Sequence, residues 1–449
     1  MMNKWVATHL VLKPAYFCLG EPVRTFIPQF EETQWLSQKE LHDYQLARLR
    51  GILRYVYNHI PYYRKIILDK EINVEEISGL NYLQAFPILT KEVIRKHHQE
   101  LRSDIHWRRS FRKTSGSTGE PLMIEKDRVT TGVMNAIMWR NYRWFGIEMG
   151  SRQARVWAGP VTPGQKWIIN ITDCLQNRIR LSSFSMNQQT YKDFLKRILR
   201  FKPEYFYGYS QFLYQFATYV LKSKDLIMNL NLKAIITTAE MLFDNQKALI
   251  EEAFQTKVVN EYGCTETGII AMKCPKGKMH IMADNLLVEV VKDGRPALDG
   301  EEGELLITEL YGLLAPLIRY RVGDRGVISR TPCSCGRGLP VLERLTGRVT
   351  DVILCQNGAI IDPYIIESLL KARPQFYKIV KQWKIHQLSQ SKILITLCTP
   401  EARPHSEIES YLQKEVSNLS HKQLDLEFWY EVSLRPEPSG KTKMFSVDH

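Results

Sequence analysis

Lys113-Thr114-Ser115-Gly116-Ser117-Thr118-Gly119-Glu120-Pro121 packs four hydroxyls and two glycines into the six positions 114–119. Glycine lets the backbone turn tightly enough for successive N–H groups to point at one anion. The hydroxyls add donors for phosphate oxygens, and Lys113 adds positive charge. This is the chemistry of a polyphosphate cradle. It is not a Walker loop, because no Gly-Lys-Ser/Thr follows at that spacing. A Ser/Gly-rich run can equally be a plain flexible loop, so its meaning depends on the text around it.

Downstream of this stretch, short apolar runs alternate with helical segments. Ala154-Arg155-Val156-Trp157-Ala158 ends in Gly159-Pro160, Ala234 to Thr238 follows the helical stretch 210–224, and Lys257 to Asn260 precedes Glu261-Tyr262-Gly263. Such alternation predicts an α/β domain with a mostly parallel sheet. From 285 the text turns to β, with strands at Leu286–Val291 and Gly303–Thr308 and a turn at Asp293-Gly294. The last hundred residues read as a small α+β domain, with a helix from Ile361 to Ala372 and a strand from Lys392 to Cys398. Upstream, Leu41, Leu46, Leu49, Leu53, Val56 and Ile60 keep the helix period over 38–70 until Pro61 interrupts it. Shorter helices follow to 104. The expected organisation is an N-terminal domain, 1–346, made of a helical start (38–104), an α/β core and a β-rich segment (285–346). A C-terminal domain, 347–449, follows. The first forty residues carry no signal of their own; Phe17 to Phe30 is apolar enough to pack on this domain, a partner or a membrane surface.

The 449 residues suffice for two or three domains. No apolar run approaches the roughly 20 residues that span a bilayer. Met1–Leu12 lacks the apolar core and small-residue cleavage site of a secretory signal, so cytoplasm is the default location. The eight scattered cysteines then imply free thiols or metal ligands rather than a disulfide framework. The formal charge of +13 fits a diffuse basic surface, attraction of anionic small molecules, or a nucleic-acid or membrane face. No zinc finger, RNP-like motif or long Lys/Arg block supports nucleic acid.

Four further motifs follow the cradle in order. They are Glu261-Tyr262-Gly263-Cys264-Thr265-Glu266-Thr267-Gly268, Leu317-Ile318-Arg319-Tyr320-Arg321-Val322-Gly323-Asp324, Leu345-Thr346-Gly347-Arg348-Val349-Thr350-Asp351 and Pro438-Ser439-Gly440-Lys441. Each is weak alone. Together, over residues 40–445, they resemble the adenylate-forming superfamily of acyl-CoA synthetases and adenylation domains. Leu49 to Arg64 and Phe86-Pro87-Ile88-Leu89-Thr90-Lys91 narrow the resemblance to its phenylacetate–CoA ligase-like branch, which includes CapK-like capsule-biosynthesis proteins.

The resemblance implies a large adenylate-forming domain with a small mobile lid. It implies that Thr114, Ser115, Gly116, Ser117, Thr118 and Gly119 hold the β- and γ-phosphates of ATP. Thr265 would contact the α-phosphate and Glu266 would bind Mg²⁺, a hard cation that takes carboxylate oxygens. Asp324, an acceptor-only carboxylate, would take both ribose hydroxyls. Tyr262, Gly263 and Glu240 would line the nucleotide site, with Arg348 near ribose or phosphate. Lys441 would lie between the attacking carboxylate and the α-phosphate, lowering their repulsion in the transition state; Lys443 is a competitor for that role. The hinge position holds Thr350, where the family usually has an acidic residue or lysine.

Trp157, Gly159, Tyr207, Gly208, Tyr209 and Ala239 are the candidate acyl pocket, an aromatic slot suited to an aryl acid, although such aromatics also serve as plain core. Cys274, His280, Cys333 and Cys335 form a Cys₃His set suited to tetrahedral Zn²⁺ if the fold unites the two pairs; related proteins bind a structural zinc there. Otherwise they are free thiols and a satisfied histidine. The implied reaction is ATP-dependent, AMP-forming activation of a carboxylic acid, then acyl transfer to coenzyme A. Transfer to an amine or a carrier-protein thiol is an alternative, and so is a degenerate ATP-binding scaffold. A homodimer is compatible with this reading.

Overall fold

The computed structural model describes residues 2–113, 122–157, 163–182, 188–223, 230–348, 353–356, 360–361, 363, 365–420, 424–435 and 442–447. They form two compact units. The first comprises Met1–Gly208, Ile227–Ala239 and Thr256–Leu345; the second comprises Tyr209–Leu226, Glu240–Gln255 and Thr346–His449.

The first unit opens with helices. Lys4–Val6, the π-helical Ala7–Leu12 and Lys13–Leu19 run on to Gly20, whose φ of 75° ends the helical path. Helix Val23–Thr33 sends Val23, Ile27 and Phe30 into the core, whereas Phe17 is 85% exposed. The apolar stretch 17–30 therefore divides between core and surface. The predicted long helix is Gln38–His59, started by a capping box between Ser37 and Glu40. Pro61 does not end helical structure; it takes the first-turn position of a second helix, Pro61–Asp69, where its missing N–H costs nothing.

Strands β1 (Arg109–Lys113) and β2 (Met123–Asp127) form an antiparallel hairpin with Lys113 opposite Met123. The cradle sequence lies between these two strands in the chain, and residues 114–121 lie outside the described residues. The main sheet contains β3 (Gln153–Trp157), β4 (Arg178–Ser182), β5 (Tyr205–Tyr209), β6 (Ala234–Thr238), β7 (Val258–Cys264), β8 (Gly268–Lys273), β9 (Met279–Ile281), β10 (Leu286–Lys292), β11 (Arg295–Pro296), β12 (Gly303–Glu309), β13 (Tyr320–Ser329) and β14 (Val341–Arg348). Their order is β11-β10-β12-β13-β14-β9-β8-β7-β6-β5-β3-β4. β3 runs parallel to β4 and β5, and β6 runs parallel to β7. From β7 through β8 to β9 pairing becomes antiparallel, as it is from β10 through β12 to β13. The α/β text and the β-rich text thus share one sheet. Asp293-Gly294 makes the expected tight turn, with φ of 48° and 78°, between β10 and the short β11.

In the second unit, β17 (Gln382–Ser389) and β18 (Lys392–Cys398) are antiparallel; β19 (Asp425–Glu431) lies parallel to β18 and β20 (Phe445–Val447) parallel to β17. Trp383, Ile395 and Leu412 are buried in its core, as is Phe243 from the helix Asp244–Phe254 boundary. The helix expected from 361 starts at Ile365, because Ile360–Ile361 (β16) pair with Ile353–Leu354 (β15).

Candidate active site and metal centre

Parallel strands place their loops at one end of the sheet, and ligands of α/β proteins lie at the strands' carboxyl ends. β7 carries Tyr262 and Gly263 there and leads into Thr265 and Glu266. A Cβ on Gly263 would stand 2.4 Å from the Gly268 carbonyl oxygen, and the β7–β8 register shifts between Tyr262 and Gly263. Only glycine fits this close approach. At the end of β6, Ala239 adopts a left-handed φ of 68°, unusual for a residue with a Cβ.

β13 brings the third motif beside the second. The Tyr262 hydroxyl donates to Asp324 Oδ2 at 2.7 Å. The Tyr320 hydroxyl donates to buried Glu266 Oε1 at 2.8 Å, and Lys91 Nζ lies 3.9 Å from the same oxygen. Lys91 arrives because Leu89 pairs with β13: Leu89 N donates to Arg319 O and Arg321 N to Leu89 O. Nothing in the motifs around Lys91 and Tyr320 points to Glu266; the pairing of distant segments brings both side chains to it. Arg112, two positions before the cradle sequence, has its pKa lowered by burial, against the opposing attraction of Glu21, Glu309 and Cys264.

Behind the strand ends, Trp157 and Tyr207 stack with centroids 5.4 Å apart, and the Arg155 guanidinium covers both rings at 4.6 and 4.9 Å. Gly208 is required by packing, since a Cβ would lie 2.5 Å from Val156 O. Glu261 faces this layer. Tyr207 donates to its Oε1 at 3.1 Å and Tyr142 to its Oε2 at 3.2 Å; burial pushes the carboxyl up to about 6 against those hydrogen bonds.

In the second unit, Glu240 accepts from Gln211 N at 3.0 Å and from Thr442 N at 2.7 Å, and Tyr209 precedes the helix Ser210–Lys222. Gly159, Thr350, Lys441 and the side chain of Arg348 lie outside the described residues, as do Thr114 to Gly119.

The two cysteine motifs do meet. Cys274, His280, Cys333 and Cys335 place their ligand atoms within 4.8 Å of one another. Cys274 Sγ lies 3.8 Å from Cys333 Sγ, and Cys335 Sγ 3.2 Å from His280 Nε2. Two thiolates each ~2.3 Å from a tetrahedral zinc stand about 3.8 Å apart. Nδ1 of His280 is 2.8 Å from Leu339 O, which fixes the ring and turns Nε2 toward the thiols. Burial pushes the Cys274 thiol up and holds the His280 imidazole neutral, so these groups gain from a cation that binds thiolates and neutral imidazole. Four protein donors leave no open coordination position, as in a structural site.

No family model matches the chain. It is 23% identical over 408 residues to a phenylacetate–coenzyme A ligase of Thermus thermophilus, covering 87% of this chain and 88% of that one. It is also 23% identical over 339 residues to protein CapK of Staphylococcus aureus, covering 74% and 73%. Among solved structures, 2-hydroxyisobutyryl-CoA ligase in the postadenylation state superposes with a TM-score of 0.74 at 18% identity over 93% of this chain and 91% of that one. An open conformation of the same ligase gives 0.62 at 18% identity over 92% and 93%. The resemblance read from the five motifs is borne out, and the fold is that of adenylate-forming ligases.

Proposed function

We propose that this chain is an AMP-forming acid–thiol ligase that converts a carboxylic acid to its acyl-adenylate and transfers the acyl group to coenzyme A. The observation that carries this reading is the meeting of two distant motifs, in which Tyr262 bonds Asp324 and Glu266, four residues further along, bonds Tyr320 beside Lys91. An aromatic ring for a purine, an acceptor for ribose hydroxyls and a carboxylate for a phosphate-bound cation are the three needs of an ATP site.

In the first step a carboxylate oxygen attacks the α-phosphorus in line and pyrophosphate departs. In the second, a thiolate attacks the mixed-anhydride carbonyl and AMP departs. The protein positions the reactants and screens their charges. Thr114 to Gly119 hold the β- and γ-phosphates, Thr265 the α-phosphate, Asp324 the ribose, and Glu266 a Mg²⁺ ion that neutralises phosphate charge. Tyr262, Gly263, Glu240 and Arg348 complete the nucleotide site. Lys441 approaches the reacting groups from a C-terminal lid, 347–449, turning about Thr350. The postadenylation and open states of 2-hydroxyisobutyryl-CoA ligase support such alternation.

Trp157, Gly159, Tyr207, Gly208, Tyr209 and Ala239 form the acyl pocket, and the Trp157–Tyr207 stack favours a flat aryl acid. Zinc at Cys274, His280, Cys333 and Cys335 is structural. The test is acid-dependent ATP–pyrophosphate exchange over aryl, aliphatic and amino acids. Exchange with one acid class, reduced about 10²–10³-fold in Lys441→Ala, is the expected result. ATP binding with no exchange across the acid set would refute the ligase reading and favour a degenerate ATP-binding protein.

A further inference from the structure

On one face of the sheet, neighbouring strands gather three arginines beside the aromatic layer. In the parallel registers Arg155 on β3 stands next to Arg180 on β4 and Tyr207 on β5. Residues two apart in a strand share a face, so Trp157 and Arg178 belong to it as well. Helix Pro163–Leu175 supplies this face with Asp173. Its Oδ2 accepts from Arg180 Nε at 2.9 Å, and its Oδ1 accepts from Arg180 Nη2 at 3.0 Å and from Arg178 Nε. The two arginines of β4 therefore take up this carboxylate between them.

Arg155 is left over. It is half-buried. Among the described residues its guanidinium forms no ion pair, and its Nε is buried without a hydrogen-bond partner. What it touches are the Trp157 and Tyr207 rings, with centroids at 4.6 and 4.9 Å. Glu261 feels its attraction, but the two oxygens of that carboxylate accept from Tyr207 and Tyr142 instead. A ring face attracts a cation without replacing a counter-anion, and charges withdrawn from water are ordinarily paired. Trp157 ends β3. Arg155, two residues earlier, starts roughly 7 Å further back from the strand ends.

We propose that the acid this protein activates carries a second anionic group, which Arg155 binds at the inner end of the aromatic slot. The inference rests on the reading of Trp157 and Tyr207 as walls of the acyl pocket. An apolar slot with one well-placed polar group is how small-molecule sites fix orientation. Guanidinium matches carboxylate or phosphate through parallel N–H···O bonds. The substrate class is thus a flat acid with an anion at each end. One carboxylate reacts at the strand ends; the other anion stays ionised and keeps Arg155 paired throughout. A guanidinium that merely caps the rings and screens Glu261 would treat all acids alike.

The test is titration calorimetry of the full chain with benzoate and phenylacetate against benzene-1,4-dicarboxylate, 4-carboxyphenylacetate and 4-phosphonooxybenzoate. At least one doubly charged acid should bind roughly 10–100-fold more tightly than its singly charged parent. Arg155→Met, which keeps an apolar chain over the rings, should bring that ratio to about one, and Arg155→Lys should retain part of it. ATP–pyrophosphate exchange should show the same preference in KM. No preference in the unsubstituted protein would overturn the proposal, as would an Arg155→Met variant that binds both kinds of acid with the original ratio. Calorimetry needs no turnover, so the two readings fail separately. A preference without exchange would sustain the role of Arg155 and refute the ligase; exchange without a preference would do the reverse.

Discussion

Glu261 and Tyr262 are neighbours on β7, yet a strand sends successive side chains to opposite faces. Tyr262 meets Asp324; Glu261 turns inward to Tyr207 and Tyr142. Burial raises the Glu261 carboxyl from an ordinary 4.5 to about 6. The folded protein therefore holds this proton more tightly than the unfolded chain does. Stability falls as pH rises from about 4.5 through about 6 and stays lower above that. Glu261→Gln keeps the shape and removes the charge. We expect it to stabilise the protein at pH 8 by roughly 2 kcal/mol and to be neutral near pH 4.5, read as urea midpoints at the two pH values. An equal effect at both would show that ionisation of Glu261 is not the cause.

At the scale of elements, the Cys₃His cluster joins the β8–β9 hairpin to the loop after β13. That loop also grips the N-terminal helical layer: Gly338 N donates to Gln34 O at 3.1 Å, and Arg337 donates to Gln34 Oε1 while its guanidinium lies 4.3 Å from the Trp144 ring centroid. Gly338 has no room for a side chain, since a Cβ would overlap Leu36 O. Metal analysis should find one zinc per chain. Cys333→Ser should release it and lower stability by at least about 2 kcal/mol, measured by denaturant unfolding. A zinc-free native protein with unchanged stability after the substitution would mean that the four side chains are ordinary buried thiols and a satisfied imidazole.

For the molecule as a whole, the proposed division of labour is between the unit that carries Tyr262, Glu266 and Asp324 and the C-terminal lid that carries Lys441. It predicts separable half-reactions. Lys441→Ala should lose exchange yet still turn a supplied acyl-adenylate and coenzyme A into acyl-CoA and AMP at near the unsubstituted rate, followed by product release. Loss of both halves together would place Lys441 in folding or in both steps. The second unit is more than the last hundred residues, because it also includes Tyr209–Leu226 and Glu240–Gln255. A boundary drawn along the chain cannot show this, since the helices in question are chosen by the apolar faces they bury, not by their position in sequence.

Local signals fixed what depends on neighbours in the chain. The helix at Gln38–His59 followed from apolar periodicity, strands Ala234–Thr238 and Lys392–Cys398 from short apolar runs, and the Asp293-Gly294 turn from its two residues. The motifs, each weak alone, pointed to a chemistry only together and in order, through the family they resemble. Tertiary structure decided everything that needs distant segments to touch. Lys91 reaches Glu266 only because Leu89 pairs with β13, and Cys274 reaches Cys333 across fifty-nine positions of chain. Glu261 acquires its raised proton affinity only once the fold buries it, against the hydrogen bonds that Tyr142 and Tyr207 donate to it. The helix period locates an apolar stripe, but whether Trp167 and Ile168 face the core or water depends on which neighbours the fold brings to cover them.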